Sequence, residues 1–284
     1  MNNKTKNQKK AIVMFSGGLD SRLVLKIMQE QDFDILALFF KLPFVKYDEK
    51  ELKEFITQEK IKLKIFDCTK GELLEEYLQI IKKAEHGVGK GINPCIDCRI
   101  FMLKKAKEFA NKKNIKIIAT GEVLGQRPMS QHKRGLDIVE KESGLKGRLF
   151  RPLIGEGIHG RRRIKQIALA EKFKISYPSP AGGCLLCEKL YCEKLKKILD
   201  KEDLDYNDIK LLKIGRHFEA SQIILGRNKK ENEFLEKEEG IKVIPQQIGP
   251  TALIKSKKYE KKAKELIKNY SNHKIKDFII KVNV

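Results

Sequence analysis

The stretch Ala11-Ile12-Val13-Met14-Phe15-Ser16-Gly17-Gly18-Leu19-Asp20-Ser21 constrains the fold more than any other part of the chain. An apolar run meets a two-glycine turn, and Leu19, Leu23, Val24, Ile27 and Met28 then fall at helical spacing. The order is strand, turn, helix. Such a turn aims backbone N–H groups and a helix N-terminus at one point, which makes an anion site. Gly17 and Gly18 let the backbone approach the anion closely. Ser16 and Ser21 add hydroxyl donors, and Asp20 can help hold a divalent cation that offsets phosphate charge. A Walker-type phosphate loop needs a Lys after its second Gly, and this turn has none.

The first ~150 residues continue the same alternation. Strands are expected over 11–15, 34–40, 61–67 and 115–119, with helices over 19–31, 48–58, 71–85 and 97–113. Strands separated by helices imply an α/β fold, a doubly wound parallel sheet whose ligands sit at the carboxyl ends of the strands. The glycine turn and Thr120-Gly121-Glu122 both fall at such ends. A helix over 129–142, a strand over 148–153 and an Arg-led helix from Arg161-Arg162-Arg163 to about Lys174 complete a first domain, 1–187. From 188 to 284 the pattern becomes a smaller α+β module. Its helices are expected near 188–200, 229–238 and 257–270, around a polar break at 201–208. Short strands are expected near 214–226, 241–245, 251–255 and 276–282.

Lys and Arg number 60 against 38 Asp and Glu, a formal net charge of +22. That excess suits a polyanionic partner, with nucleic acid the obvious one, although Lys scattered over solvated faces gives the same sum. Met1 to Lys10 is polar and basic with no signal-peptide apolar core behind it, and no apolar run nears the ~20 residues that span a bilayer. A cytoplasmic protein without a membrane partner is the expectation. The sequence leaves the oligomeric state open.

In a cytoplasmic chain, six cysteines argue for metal or sulfur chemistry over structural disulfides. Cys95-Ile96-Asp97-Cys98 opens a helix, Cys184-Leu185-Leu186-Cys187 repeats the spacing, and Cys192 follows. Two C-x-x-C pairs are a metal-ligand signal. Cys68 reads as a small buried hydrophobe. Three arrangements compete. An iron–sulfur cluster on Cys95, Cys98 and Cys184 would leave one iron free to carry sulfide. Metal-free cysteines could pass sulfur as a persulfide. Zinc on four cysteines would be structural.

Taken together, Ser16–Ser21 resembles the PP-loop, the SGGxDS signature of the ATP pyrophosphatase superfamily. These enzymes adenylate an oxygen and let nitrogen or sulfur displace AMP. Asn93-Pro94-Cys95-Ile96-Asp97-Cys98 resembles the motif that carries a working cysteine in the tRNA 2-thiouridylases. Thr120-Gly121-Glu122-Val123-Leu124-Gly125-Gln126, with Ser130-Gln131, looks like an element of the tRNA 4-thiouridine synthases. Pro180-Ala181-Gly182-Gly183-Cys184 is similar to the segment bearing their second working cysteine. In the tail, Gly215-Arg216-His217-Phe218 and Ile224-Leu225-Gly226-Arg227-Asn228 resemble the RNA-binding module of NFACT-type proteins. Arg216, His217, Arg227 and Lys229 are the candidate phosphate contacts there.

The resemblance implies ATP-dependent tRNA uridine thiolation at C2 or C4. ATP would sit on Ser16, Gly17, Gly18, Asp20, Ser21 and Gly121, with Mg²⁺ partly on Asp20. Asp20, Cys98 and Cys184 would act in catalysis. Relatives with a C-x-x-C and one later cysteine favour a [4Fe–4S] cluster on Cys95, Cys98 and Cys184. The implied partners are tRNA and a sulfide or persulfide donor. The alternatives are an ammonia-using amidating synthetase, which leaves the cysteines idle, and a non-catalytic RNA-binding or sulfur-sensing protein.

Overall fold

The computed structural model describes residues 9–87, 89–128, 130–179 and 183–283. The chain divides into two compact units, Met1–Glu188 and Lys189–Val284. Unit 1 begins with β1 (Lys10–Met14), α1 (Leu19–Glu30), β2 (Asp34–Lys41), α2 (Glu49–Gln58) and β3 (Lys62–Asp67). It continues with α3 (Gly71–Lys83), α4 (Cys95–Lys112), β4 (Ile117–Thr120), α5 (Lys133–Ser143), β5 (Leu149–Phe150), α6 (Pro152–Gly155) and α7 (Ile164–Lys172). The five strands run parallel in the order β3-β2-β1-β4-β5. The chain winds outward from β1 through β2 to β3, then returns to β4 on the other side. The order reverses between β1 and β4, and the crevice at their carboxyl ends is where such sheets bind ligands.

Period-2 alternation decides which helix covers which face. Ala11, Val13, Ala37, Phe39 and Ala119 join Leu23, Met28, Leu52, Phe55 and Ala170 in one core, which puts α1, α2 and α7 on that face. The alternate positions Ile12, Leu38 and Ile118 are fully buried on the other face. There Phe40 stacks on Phe66, and Phe66 meets the edge of Phe109 from α4. A doubly wound α/β sheet is therefore what forms.

Strand ends shift from expectation by one or two residues. A larger departure is β5, expected over 148–153 but ending at Phe150. Pro152 has no N–H for a ladder, and its fixed φ suits the first turn of α6. The helix expected from 129 starts at Lys133, because the His132 ring accepts the Gly135 amide (3.0 Å) and caps it there.

Unit 2 comprises α8 (Lys189–Lys196), α9 (Tyr206–Leu211), β6 (Arg216–Phe218), β7 (Ile223–Leu225), α10 (Lys229–Lys237), β8 (Gly240–Pro245), β9 (Ala252–Ile254), α11 (Glu260–Tyr270) and β10 (Phe278–Asn283). Its sheet is antiparallel, ordered β10-β8-β9-β7-β6. Ile223, Leu225, Val243 and Ile254 bury one face against Ala263 and Ile267 of α11. Ile224 and Leu253 bury the other against Leu211 and Leu235. The expected polar break contains the start of α9, where Asp205 caps the helix by accepting the Asp208 amide (2.7 Å). No described helix is long and apolar enough to cross a membrane.

Candidate active site

Phe15 extends β1 by donating its amide to the Leu38 carbonyl (2.9 Å), and the chain then turns at Gly17 with φ +78. A side chain at that φ is strained, so glycine belongs there. Gly18 is the N-cap of α1 and supplies no side-chain acceptor, which leaves the first amides of the helix free for an anion. Ser21 braces the loop from inside. Its hydroxyl donates to the Gly18 carbonyl (2.9 Å) and accepts the Ser16 amide (3.2 Å) and the Ser16 hydroxyl (3.3 Å). Ser21 is buried and spends its proton within the loop; Ser16 is the exposed one.

Arg22 stands under this turn with no exposed surface. Its guanidinium donates to the Gly17 carbonyl (2.7 Å) and the Ser176 carbonyl (2.8 Å), pairs with Glu51, and lies 4.1 Å over the Phe55 ring. The position falls on the buried face of α1. Its charge, set among Leu19, Leu23 and Val24, is the signal in the sequence that it has a buried task.

Gly121 follows β4 and faces the same helix start. A Cβ there would stand 3.0 Å from the Asp20 carbonyl carbon and from the Ser21 amide nitrogen. Its smallness lets β4 and the loop close on each other. Asp20 accepts from the Gln126 amide (3.0 Å). The other Asp20 oxygen, Oδ1, and the Gln126 oxygen, Oε1, are buried with no donor. Two orphaned oxygens beside a phosphate-type loop fit a hard divalent cation, which takes carboxylate and amide oxygens.

Glu122, fully buried, links this region to the cysteines. It accepts from Arg99 (2.9 Å), Arg151 (2.8 Å) and Thr120 (3.1 Å), and Arg151 also pairs with Glu140 (2.6 Å). Burial pushes its carboxyl up, but Arg99 and Arg151 outweigh that and hold it below the usual carboxylate range. The Gln131 amide, oriented so that both ends are satisfied, accepts from Arg99 (3.2 Å) and donates to Val123 (3.0 Å). Arg22, Arg99 and Arg151 are site residues that motif spacing does not reveal.

Cys95 opens α4, with Cys98 one turn in. The second C-x-x-C forms a 3₁₀ turn, Leu185–Cys187, laid against the first. The Leu186 carbonyl accepts both the Ile92 amide (3.0 Å) and the Asn93 amide (2.9 Å), and Leu185 donates to Phe44 (3.1 Å). Gly91 makes this approach feasible, since a Cβ would lie 2.6 Å from the Leu186 oxygen. Four cysteines thus face one another. Burial pushes the Cys184 thiol up to about 12, with Cys98, Cys187 and Cys95 adding like charge. Burial also raises Cys95 and Cys98 to about 11, and Cys98 shares a 3.0 Å hydrogen bond with the Tyr77 hydroxyl. All three are therefore neutral thiols at pH 7. Desolvation overrides the lowering that a helix N-terminus exerts on a thiol. Among the described residues, no three His, Cys, Asp or Glu side chains gather closely enough to hold a metal ion. The cluster set expected on Cys95, Cys98 and Cys184 is not assembled here, and neither is a four-cysteine zinc set. Cys68 is buried, as expected, and Cys192 lies in α8 of unit 2. Pro180, Ala181 and Gly182, part of the motif read before Cys184, lie outside the described residues.

In unit 2, His217 is committed internally. Its ring donates to the Ile214 carbonyl (2.8 Å) and accepts from Ser221 (3.0 Å), and burial, aided by Lys194, lowers it to about 4. Arg227 is forked onto Glu231. Arg216 stays exposed, 4.9 Å over the Tyr270 ring.

Comparison with known proteins bears on the same region. The probable tRNA sulfurtransferase of Saccharolobus solfataricus is 29% identical over 208 residues, covering 70% of this chain and 52% of that protein. One from Saccharolobus islandicus is 32% identical over 152 residues, 51% of this chain and 37% of its own. The chain thus spans about half or less of the length of these curated relatives. A solved 4-thiouridine synthetase–RNA complex with bound ATP overlays with a TM-score of 0.47 at 20% identity, covering 72% of this chain and 52% of that one. The family model described as Thiamine biosynthesis protein (ThiI) matches residues 6–190, and by that match, which includes the phosphate loop and all four facing cysteines, the chain belongs to the ThiI family.

Proposed function

We propose that the chain activates a tRNA uridine with ATP and replaces its carbonyl oxygen with sulfur. The observation that carries this reading is the junction of two chemistries in one unit. A phosphate-type loop and four facing cysteines are joined through Arg99, Glu122 and Gly121. The relatives' name, probable tRNA sulfurtransferase, supports the same reaction class. So does the net charge of +22, which suits an RNA partner.

In this mechanism the amides of Gly18 to Ser21 hold the ATP phosphates. Asp20 and Gln126 would hold Mg²⁺, which supplies charge neutralisation at the phosphates. The uridine carbonyl oxygen attacks the α-phosphorus, the bond to pyrophosphate breaks, and the base is left adenylated. Positioning and electrostatics carry that step. Activation is needed because a carbonyl oxygen leaves poorly at neutral pH and AMP leaves well.

The sulfur step runs on the thiols themselves. A persulfide delivered by an external donor to Cys184 attacks the activated carbon through its terminal sulfur, and AMP departs. The Cys98 thiol then attacks the sulfur–sulfur bond, which frees the thiouridine and leaves a Cys98–Cys184 disulfide. A dithiol reductant restores both thiols. Arg216 on Tyr270 in unit 2 would contact RNA backbone, and the cytoplasm would be the site of action.

The test is mass spectrometry of nucleosides from bulk tRNA incubated with the protein, ATP and a persulfide or sulfide source. A thiouridine that requires ATP supports the reading and shows whether C2 or C4 is modified. ATP–pyrophosphate exchange driven by a small carboxylic acid without tRNA would support an amidating synthetase instead. Brown protein holding iron and sulfide after anaerobic purification would move the sulfur step from the thiols to a cluster.

A further inference from the structure

Beside the carboxyl ends of β4 and β5 lies a shallow, open hollow of about 460 Å³. Leu124, Leu136, Leu149 and Ile154 give it aliphatic walls, and Lys133 and Asp137 reach it from successive turns of α5. A larger hollow of about 620 Å³ lies on the outer face of α2, away from every residue of the candidate site.

The hollow shares its frame with the activation site. Arg151 lines it and is bonded to Glu122, whose neighbour Gly121 lies against Asp20. Leu124 lies two residues before Gln126, which holds Asp20. The Gly160 amide donates to the Leu124 carbonyl (2.7 Å), which brings the chain leading into exposed Arg161 and Arg162 to the same rim. Arg127 and Arg134 are exposed nearby in sequence.

Lys133 and Asp137 are four residues apart on one helix, yet among the described residues they make no ion pair with each other and no side-chain hydrogen bond. Both are exposed. An unpartnered cation and an unpartnered carboxylate therefore share one aliphatic hollow. We propose that this hollow takes the uracil ring of the acceptor nucleotide, with Asp137 accepting its N3–H and Lys133 donating to a flanking carbonyl oxygen. Uracil presents an N–H donor between two carbonyl acceptors, which matches a carboxylate beside an ammonium. Cytosine presents an acceptor at N3, which a carboxylate repels. The aliphatic walls face the ring, and the exposed arginines face the phosphates that follow it. The inference rests on the thiolation reading and adds to it the residues that choose the base.

The test is protein-detected NMR titration of the full chain with free uridine and free cytidine, which carry no phosphate and so do not compete for the phosphate loop. Uridine binds more tightly by at least about tenfold, the size of one hydrogen bond to a charged group. Asp137→Asn, which can offer a donor to cytosine, brings the ratio close to one. Lys133→Met weakens both nucleosides and leaves the ratio in place. Equal binding of the two by the unmodified protein, or an unchanged ratio in Asp137→Asn, overturns the proposal. Pyrophosphate release with bulk tRNA judges the parent reading separately. Release that is equal in the unmodified protein and in Asp137→Asn sinks the hollow and spares thiolation. A uridine preference lost in Asp137→Asn, without any pyrophosphate release, sinks thiolation and leaves a uracil site.

Discussion

The phosphate loop is braced by side chains at nearly every position, whereas the cysteine turns are docked through backbone. Ser21, Arg22 and Gly121 each hold or admit one part of the loop. The second C-x-x-C is fastened by amides of residues 92, 93 and 185, and its Cys184 thiol stands neutral and desolvated. Electrostatic stabilisation of phosphoryl transfer needs dipoles fixed in advance. Thiols that pass a sulfur atom must change covalent partners in each cycle. One half of the site is fixed by side chains; the other, on the proposed function, is the half that reacts.

The largest effect that tests this contrast comes from Arg22. Arg22→Ala leaves the Gly17 and Ser176 carbonyls without their donor and a partly exposed Glu51 without its cation, and an unsatisfied buried acceptor costs about 1–3 kcal/mol. Chemical denaturation should show that loss together with lost ATP affinity. A cost under about 1 kcal/mol would mean that the loop is held by something else.

Glu122 gives a smaller, pH-dependent effect. Arg99 and Arg151 hold its folded-state value below the ordinary 4.5, so its stabilisation is full above that value and is lost as pH falls through the lowered one. Denaturation curves between pH 6 and pH 3 should steepen for the unmodified protein relative to Glu122→Gln. Parallel curves would remove Glu122 as the carrier of the linkage.

The smallest effect on stability is expected at Cys184. Cys184→Ser should shift the midpoint of unfolding little and retain pyrophosphate release while losing thiouridine formation. In the unmodified protein, alkylation of Cys184, followed by peptide mapping, should rise about tenfold per pH unit up to pH 9, because the thiol titrates at about 12. A plateau near pH 7 would show a thiolate already formed, and with it a preorganised sulfur half.

Six residues, Ser16 to Ser21, are enough to place the loop, because strand, turn and helix are consecutive and local. Both C-x-x-C pairs are legible for the same reason. Arg22 is not, since its partner Ser176 lies 154 positions away and no periodicity reports it. The tie between Arg99 and Glu122 spans 23 positions and depends on how α4 meets β4. Local patterns overreach at β5, where Pro152 opens a helical turn, and leave open what Cys95, Cys98 and Cys184 hold. Thiol spacing there shows what could ligate, but only packing decides whether three sulfurs converge.

Gly91 takes no part in any chemistry, yet the docking of the second cysteine turn depends on its having no side chain. In the drift of such sequences over time, exchange of exposed Cys187 would remove its hydrogen bond to Cys95 but not the backbone bonds of that seam. Even an alanine at position 91 would lift the turn that carries Cys184 away from α4. The working half of the site is thus hostage to a position that an inspection of reactive groups would pass over.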